Sequence, residues 1–208
     1  MKLTSQSFEH LQTIPGEFAF AIQHPTERIA LSTNKNPQLS WVDIPTNTQS
    51  FALICHDSDV PSSGEDVNQA GKKISATLPR VDFYHWVLID IPSEIYAIAA
   101  GSHSSSITAK GKASSSCPIG KHGINDYTAW FAGDNDMGGD YYGYDGPCPP
   151  WNDEIKHHYH FTVYALDTAK LSLPERFTGQ DALLEIKKHT LGQARITGIY
   201  TLNPAVQI

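Results

Sequence analysis

Ser50-Phe-Ala-Leu-Ile-Cys-His56, running straight into Asp57-Ser-Asp-Val-Pro61, decides how this chain is read. The first seven residues form a near-continuous apolar run, which fits a strand buried on both faces. The next five place two carboxylates beside His56, at the strand's exit. Taken alone, Asp57 and Asp59 suit turn chemistry, because Asp readily hydrogen-bonds the backbone two residues on. Further along, His85-Trp-Val-Leu-Ile-Asp-Ile91 is a second apolar run with a histidine at its entry. Gly143-Tyr-Asp-Gly-Pro-Cys-Pro-Pro150 then forms a Gly/Pro loop, and Lys156-His-His-Tyr-His-Phe161 opens a third strand. Side chains alternate along a strand, so His157 and Tyr159 point one way and His158 and His160 the other.

Strand signals dominate the first two thirds. Glu17–Ile22, His157–Leu166 and Ala194–Leu202 read as further strands, with prolines punctuating the gaps. A helix follows Thr178, which with Asp181 matches a capping box. Leu183, Leu184, Ile186 and Leu191 gather on one half of its circumference, and Gly192 is a natural stop. Two long segments, 62–81 and 101–143, lack periodicity, as functional or mobile loops do.

The 208 residues suit one domain, 1–208, and a hydrophobic fraction of 40% suffices for a core. Formal net charge is −7 with only 15 Lys plus Arg, which argues against nucleic acid and against an electrostatic membrane patch. No run approaches the ~20 apolar residues of a membrane helix. Met1–His10 has no apolar core of a signal peptide, so the expected compartment is the cytoplasm. Three cysteines make no disulfide framework, and no pairing among them is expected.

Several chemistries can be drawn from these residues. A metal site built from Asp57, Asp59, His85 and His157 lacks the short spacings of zinc sites. A Cys148 nucleophile with His157 as base lacks anything to lower the thiol's pKa. Neither a nucleophile elbow nor a Gly-rich phosphate loop occurs. A rigid loop beside His and Tyr donors is, by contrast, a reasonable anion pocket. Three prolines in four residues beside Gly146 lead us to expect a rigid loop with at least one cis X-Pro bond. Its remaining N–H groups, such as those of Gly146 and Cys148, would then face the ligand.

Asp57-Ser-Asp-Val-Pro61, His85-Trp86, Gly-Pro-Cys-Pro-Pro150 and His157-His-Tyr159 resemble, in order, the ligand-site motifs of the phosphatidylethanolamine-binding (Raf kinase inhibitor protein-like) family. The bacterial YbhB/YbcL-type branch is the most similar. Asn36–Trp41 is similar to the family's opening motif and Tyr164–Asp167 to its last core strand, so the likeness runs from about Thr33 to Asn203. The resemblance implies a mainly β, compact antiparallel Greek-key structure with few peripheral helices. It also implies a small anion pocket, for phosphate or a phospholipid head group, holding Asp57, Asp59, His85, His157 and Tyr159. Gly146, Pro147 and Cys148 would belong to one wall. No cofactor and no metal are implied.

Three departures stand out. Ser58 and Val60 replace the family's usual Pro and Ala, His158 replaces its usual Arg, and segment 62–81 is longer, enough to cover or narrow the mouth. The reading that follows is a non-enzymatic binding protein, with a protein partner such as a kinase implied only by analogy with eukaryotic relatives. A homodimer fits the same reading. Two alternatives stand beside it: a hydrolytic enzyme using the same pocket, and an interaction scaffold whose pocket is vestigial.

Overall fold

The computed structural model describes residues 1–207. In chain order the strands are β1 (Lys2–Thr4), β2 (Ala21–His24), β3 (Arg28–Leu31), β4 (Leu39–Val42), β5 (Ser50–Pro61), β6 (Arg80–Pro92), β7 (Ala97–Ile98), β8 (Lys121–His122), β9 (His157–Leu166) and β10 (Thr190–Tyr200). The helices are α1 (Tyr127–Trp130) and α2 (Gly179–His189). All strand pairings are antiparallel. The main sheet runs β10-β9-β5-β6-β8, flanked by a β1-β4-β7 sheet and a β2-β3 ribbon. Within the main sheet the order β9-β5-β6-β8 is that of a Greek key, the last strand returning beside the first.

The continuous apolar runs have the expected cause, burial on both faces. Leu53, Cys55, Trp86, Leu88, Phe161 and Val163 enter the main core, with Trp41 and Phe51. Their neighbours Ala52, Ile54, Val87, Ile89 and Tyr164 enter a second core on the other face. There α2 covers the sheet through Ala182 and Ile186, one turn apart. Its capping box at Thr178 and Asp181 is formed. The helical stripe differs from the sequence reading, since Leu184 and Leu191 are exposed. The chain also leaves the helix at His189, and Gly192 lies inside β10.

Two other expectations are corrected. Residues 17–22 form no single strand: a 3₁₀ turn at Gly16–Phe18 precedes β2. The short run between Pro15 and the hairpin uses its apolar side chains to plug the core, with Phe18, Ala19, Phe20 and Ala21 all buried. Secondly, the Gly143–Pro150 loop contains no cis bond, because every described peptide bond is trans. Its curvature comes instead from Gly143, at φ +80, and from an anchor at Asp145. The Asp145 carboxylate accepts from Lys112 Nζ at 2.7 Å, Asn34 Nδ2 at 2.8 Å and Asn125 Nδ2 at 2.9 Å. Those three donors, drawn from distant segments, hold the loop where a cis bond was expected to do so. Among the described residues no helix is long and apolar enough to cross a membrane.

Candidate functional site

A cavity of about 310 Å³ opens where β5, β6 and β9 meet the Gly143–Pro150 loop. Asp57, His85, Cys148, His157 and Tyr159 all line it, as do Pro149 and Pro150. The rest of the wall is apolar: Phe20, Ile29, Leu31, Val60, Phe83, Tyr127, Trp130 and Phe131 among others. Segment 62–81 supplies Gly64, Val67 and Asn68 to the lining. It is sewn to the loop's far end by Asn152, whose Oδ1 accepts from the Asn68 N–H at 3.0 Å while its Nδ2 donates to the Asp66 carbonyl at 2.8 Å. A broader groove of about 1030 Å³ lies beside Trp151, with Arg28, Lys72 and Lys73 in its walls.

His157 is clamped. Its Nδ1 donates to Asp57 Oδ2 at 2.7 Å and its Nε2 to Asp153 Oδ2 at 3.1 Å. Burial opposes charge on the ring, but the two carboxylates outweigh it and raise its pKa to about 9. In turn the His157 cation overcomes the upward push of burial on Asp57 and holds that carboxyl below its ordinary range. Asp153 is also paired with Arg80, whose Nη2 donates to Asp153 Oδ1 at 3.0 Å. Two cations and two anions thus form a buried chain, Arg80–Asp153–His157–Asp57, with no formal net charge. Sequence reading missed Asp153 and Arg80; the spacing of four between Asp153 and His157 was the available signal.

His85 is of a different kind. Its Nδ1 donates to the Asp145 carbonyl at 2.7 Å, which selects the tautomer with a lone pair on Nε2. Burial lowers its pKa to about 4, so the ring is neutral at pH 7. Its ring lies edge-on to those of Tyr159 and Tyr127, at 5.1 and 5.6 Å between centroids. The Tyr159 hydroxyl is buried beside the Asp57 carboxylate without a hydrogen bond of good geometry. Burial, then the charge of Asp57, drives its pKa upward, so it stays a neutral donor. Burial likewise raises the Cys148 thiol to about 12.

Not every expected residue joins this group. Asp59 is absent from the cavity wall and accepts from His158, at 2.8 Å from both the backbone N–H and Nδ1. His158, on the other side of β9 from His157 and Tyr159, is therefore the partner of Asp59. Gly146 and Pro147 lie behind the wall. The Gly146 N–H donates to Asn34 Oδ1 at 2.8 Å and its carbonyl accepts from Tyr127 at 2.8 Å, while the Pro147 carbonyl accepts from the Phe20 N–H at 2.9 Å. The Gly146 N–H expected to face a ligand is thus committed to Asn34.

An antiparallel Greek-key sheet with a small, mostly apolar cavity at its strand ends, floored by an Asp–His pair, describes a class of binding protein. A family model described as phosphatidylethanolamine-binding protein matches residues 4–201, and the chain belongs to that family. It is similar to a UPF0098 protein of Methanothermobacter thermautotrophicus, with 32% identity over 80% of this chain and 83% of that one. Similarity extends to UPF0098 protein YbhB of Escherichia coli, with 25% identity over 81% of this chain and 82% of that one. The fold matches the crystal structure of Escherichia coli YbcL, described as a new member of the mammalian PEBP family, with a TM-score of 0.68 and 22% identity over 96% of this chain and 97% of that one.

Proposed function

We propose that this protein binds, without turning over, a small amphiphile whose anionic head group rests on the floor between Tyr159 and His85. The observation that carries this reading is the Tyr159 hydroxyl, a buried donor held beside Asp57 without a well-formed hydrogen bond. Such a group costs about 1–3 kcal/mol when left unpaired, a cost a ligand oxygen would remove. The apolar wall suits the rest of an amphiphile. The neutral buried chain behind Asp57 presents no net negative charge to an anion, and His85 can take up a proton as the anion arrives. Asp57 keeps lone pairs beyond those given to His157 and Asp59, enough for an ammonium such as that of ethanolamine.

Binding is favoured over hydrolysis by the state of the side chains. His157 has both nitrogens committed, so it offers no lone pair as a general base. Cys148, pushed to about 12, is a poor nucleophile. The test is calorimetry with inorganic phosphate, O-phosphorylethanolamine and a short-chain phosphatidylethanolamine, on the wild type and Tyr159→Phe. The expected result is binding that weakens roughly tenfold or more in the variant, the worth of a hydrogen bond to a charged group. No binding by any of the three, or equal affinity in Tyr159→Phe, would sink the reading.

A further inference from the structure

Away from the cavity, a second cluster of chemistry-bearing side chains lies on the long segment 101–143. One ring nitrogen each of His103 and His122 and the Sγ of Cys117 all fall within 4.8 Å of one another. None of the three lines the cavity. His103 is 5% exposed and His122 only 1%, while Cys117 is half-buried and leaves a way in. The inner nitrogens, His103 Nδ1 and His122 Nε2, are 2.9 Å apart. Trp86 Nε1 donates weakly to that same His122 Nε2 at 3.4 Å, so Nε2 is the acceptor and His103 Nδ1 carries the hydrogen. This leaves His103 Nε2 and His122 Nδ1 buried without partners. These outer nitrogens are not the ones that would ligate; what points to an ion is that two imidazole nitrogens only 2.9 Å apart share a cluster with the Cys117 Sγ.

We propose that His103, Cys117 and His122 form a site for a transition-metal ion that prefers thiolate and imidazole together, Zn²⁺ or Cu⁺. Two nitrogens bound to zinc at about 2.0–2.1 Å in tetrahedral geometry stand roughly 3.3 Å apart, so the rings need to part by only a few tenths of an ångström. Coordination releases the Cys117 thiol proton to solvent. The hydrogen between the rings shifts to the outer nitrogen of His103, and the weak Trp86 bond is given up. Lys112, whose charge acts on His122, does not oppose the ion strongly, because Asp145 neutralises it at 2.7 Å. Three protein ligands leave a fourth position for water on Zn²⁺, reached from the Cys117 side, or a three-coordinate set for Cu⁺. The ion would staple a stretch that has little regular structure of its own.

The experiment uses reduced, metal-stripped full-length protein. Titration with Co²⁺, followed by displacement with Zn²⁺, reads a thiolate-to-cobalt charge-transfer band; a parallel arm challenges Cu⁺-loaded protein with a chromogenic chelator. The expected result is one ion per chain in at least one arm, with affinity lowered roughly 100-fold in Cys117→Ser and unchanged in Cys148→Ser. Retention of Co²⁺ and Zn²⁺ identifies a zinc-type site, and resistance to the Cu⁺ chelator alone a copper-type one. Near-UV circular dichroism confirms that the variants are folded. No uptake in either arm, or uptake equal in folded Cys117→Ser, overturns the proposal.

Discussion

Asp57 Oδ1 accepts the backbone N–H of Asp59 at 2.8 Å, and that bond turns the chain between them. The β5–β6 register slips between Asp57 and Val60, a bulge that breaks the alternation of the pleat. Two acids spaced to share one face therefore serve different partners. Asp57 lies under the cavity against His157, and Asp59 reaches outward to His158.

The pair should separate cleanly by mutation. Asp57→Asn removes the charge from a buried ion pair and is expected to lower stability by about 3–5 kcal/mol. Asp59→Asn touches a part-exposed pair and should cost no more than about 1 kcal/mol, with head-group affinity unchanged. Urea denaturation of both variants, with calorimetry of the second, checks this. Equal losses would contradict the assignment of faces.

Stability should peak near pH 6.5. The folded pKa of His157, about 9, lies above the ordinary 6.5. Its stabilisation is complete below 6.5 and disappears as pH rises through 9. His85 and His103, at about 4, and His122, at about 3, act in the other direction. The folded chain refuses protons that the unfolded chain accepts, so stability falls as pH drops below 6.5. Asp57 and Asp153, both held low, add losses below the ordinary carboxylate range. Urea midpoints across pH 4–10 should show an alkaline decline on the order of 2 kcal/mol that His157→Gln largely removes.

Head-group binding should tighten in acid, over a lower window than an unperturbed histidine would give. His85 in the free protein titrates near 4, so an anion that binds its charged form draws in a proton at neutral pH. Affinity should rise as pH falls from 7 toward 4, by at most about tenfold per unit, and level off below 4. Calorimetry in buffers of different ionisation enthalpy should detect the proton uptake. A flat profile identical to that of His85→Asn would assign the binding to Tyr159 and other neutral donors.

The loop offers a contrast between backbone and wall. A Cβ at Gly146 would strike the Phe18 carbonyl oxygen and press on Ala19 Cα, so Gly146→Ala should cost about 1–3 kcal/mol or more. Pro149 and Pro150 line the cavity without supplying the anchor at Asp145. Replacing both by alanine should weaken binding more than it lowers stability. Thermal denaturation and calorimetry on the two variants, measured side by side, decide between these roles.

Much was legible in local pattern alone. The apolar runs of β5, β6 and β9 and the cap of α2 follow from burial periodicity and from a side chain bonding its own helix start, both properties of contiguous residues. Asp57, Asp59, His85, His157 and Tyr159 stood out at strand ends, but it was the resemblance of their motifs to a family that gathered them into one expected pocket. Tertiary structure decided the rest. The turn of Asp59 away from the cavity depends on a bulge against β6. The charge of His157 depends on Asp153, held in turn by Arg80, 73 residues away in sequence. The tautomer of His85 depends on the Asp145 carbonyl, and the trans loop on three donors from Asn34, Lys112 and Asn125. Each is an electrostatic or hydrogen-bond contact between distant segments. Such contacts leave no periodic trace in a sequence, because their geometry exists only once the sheet has brought those segments together.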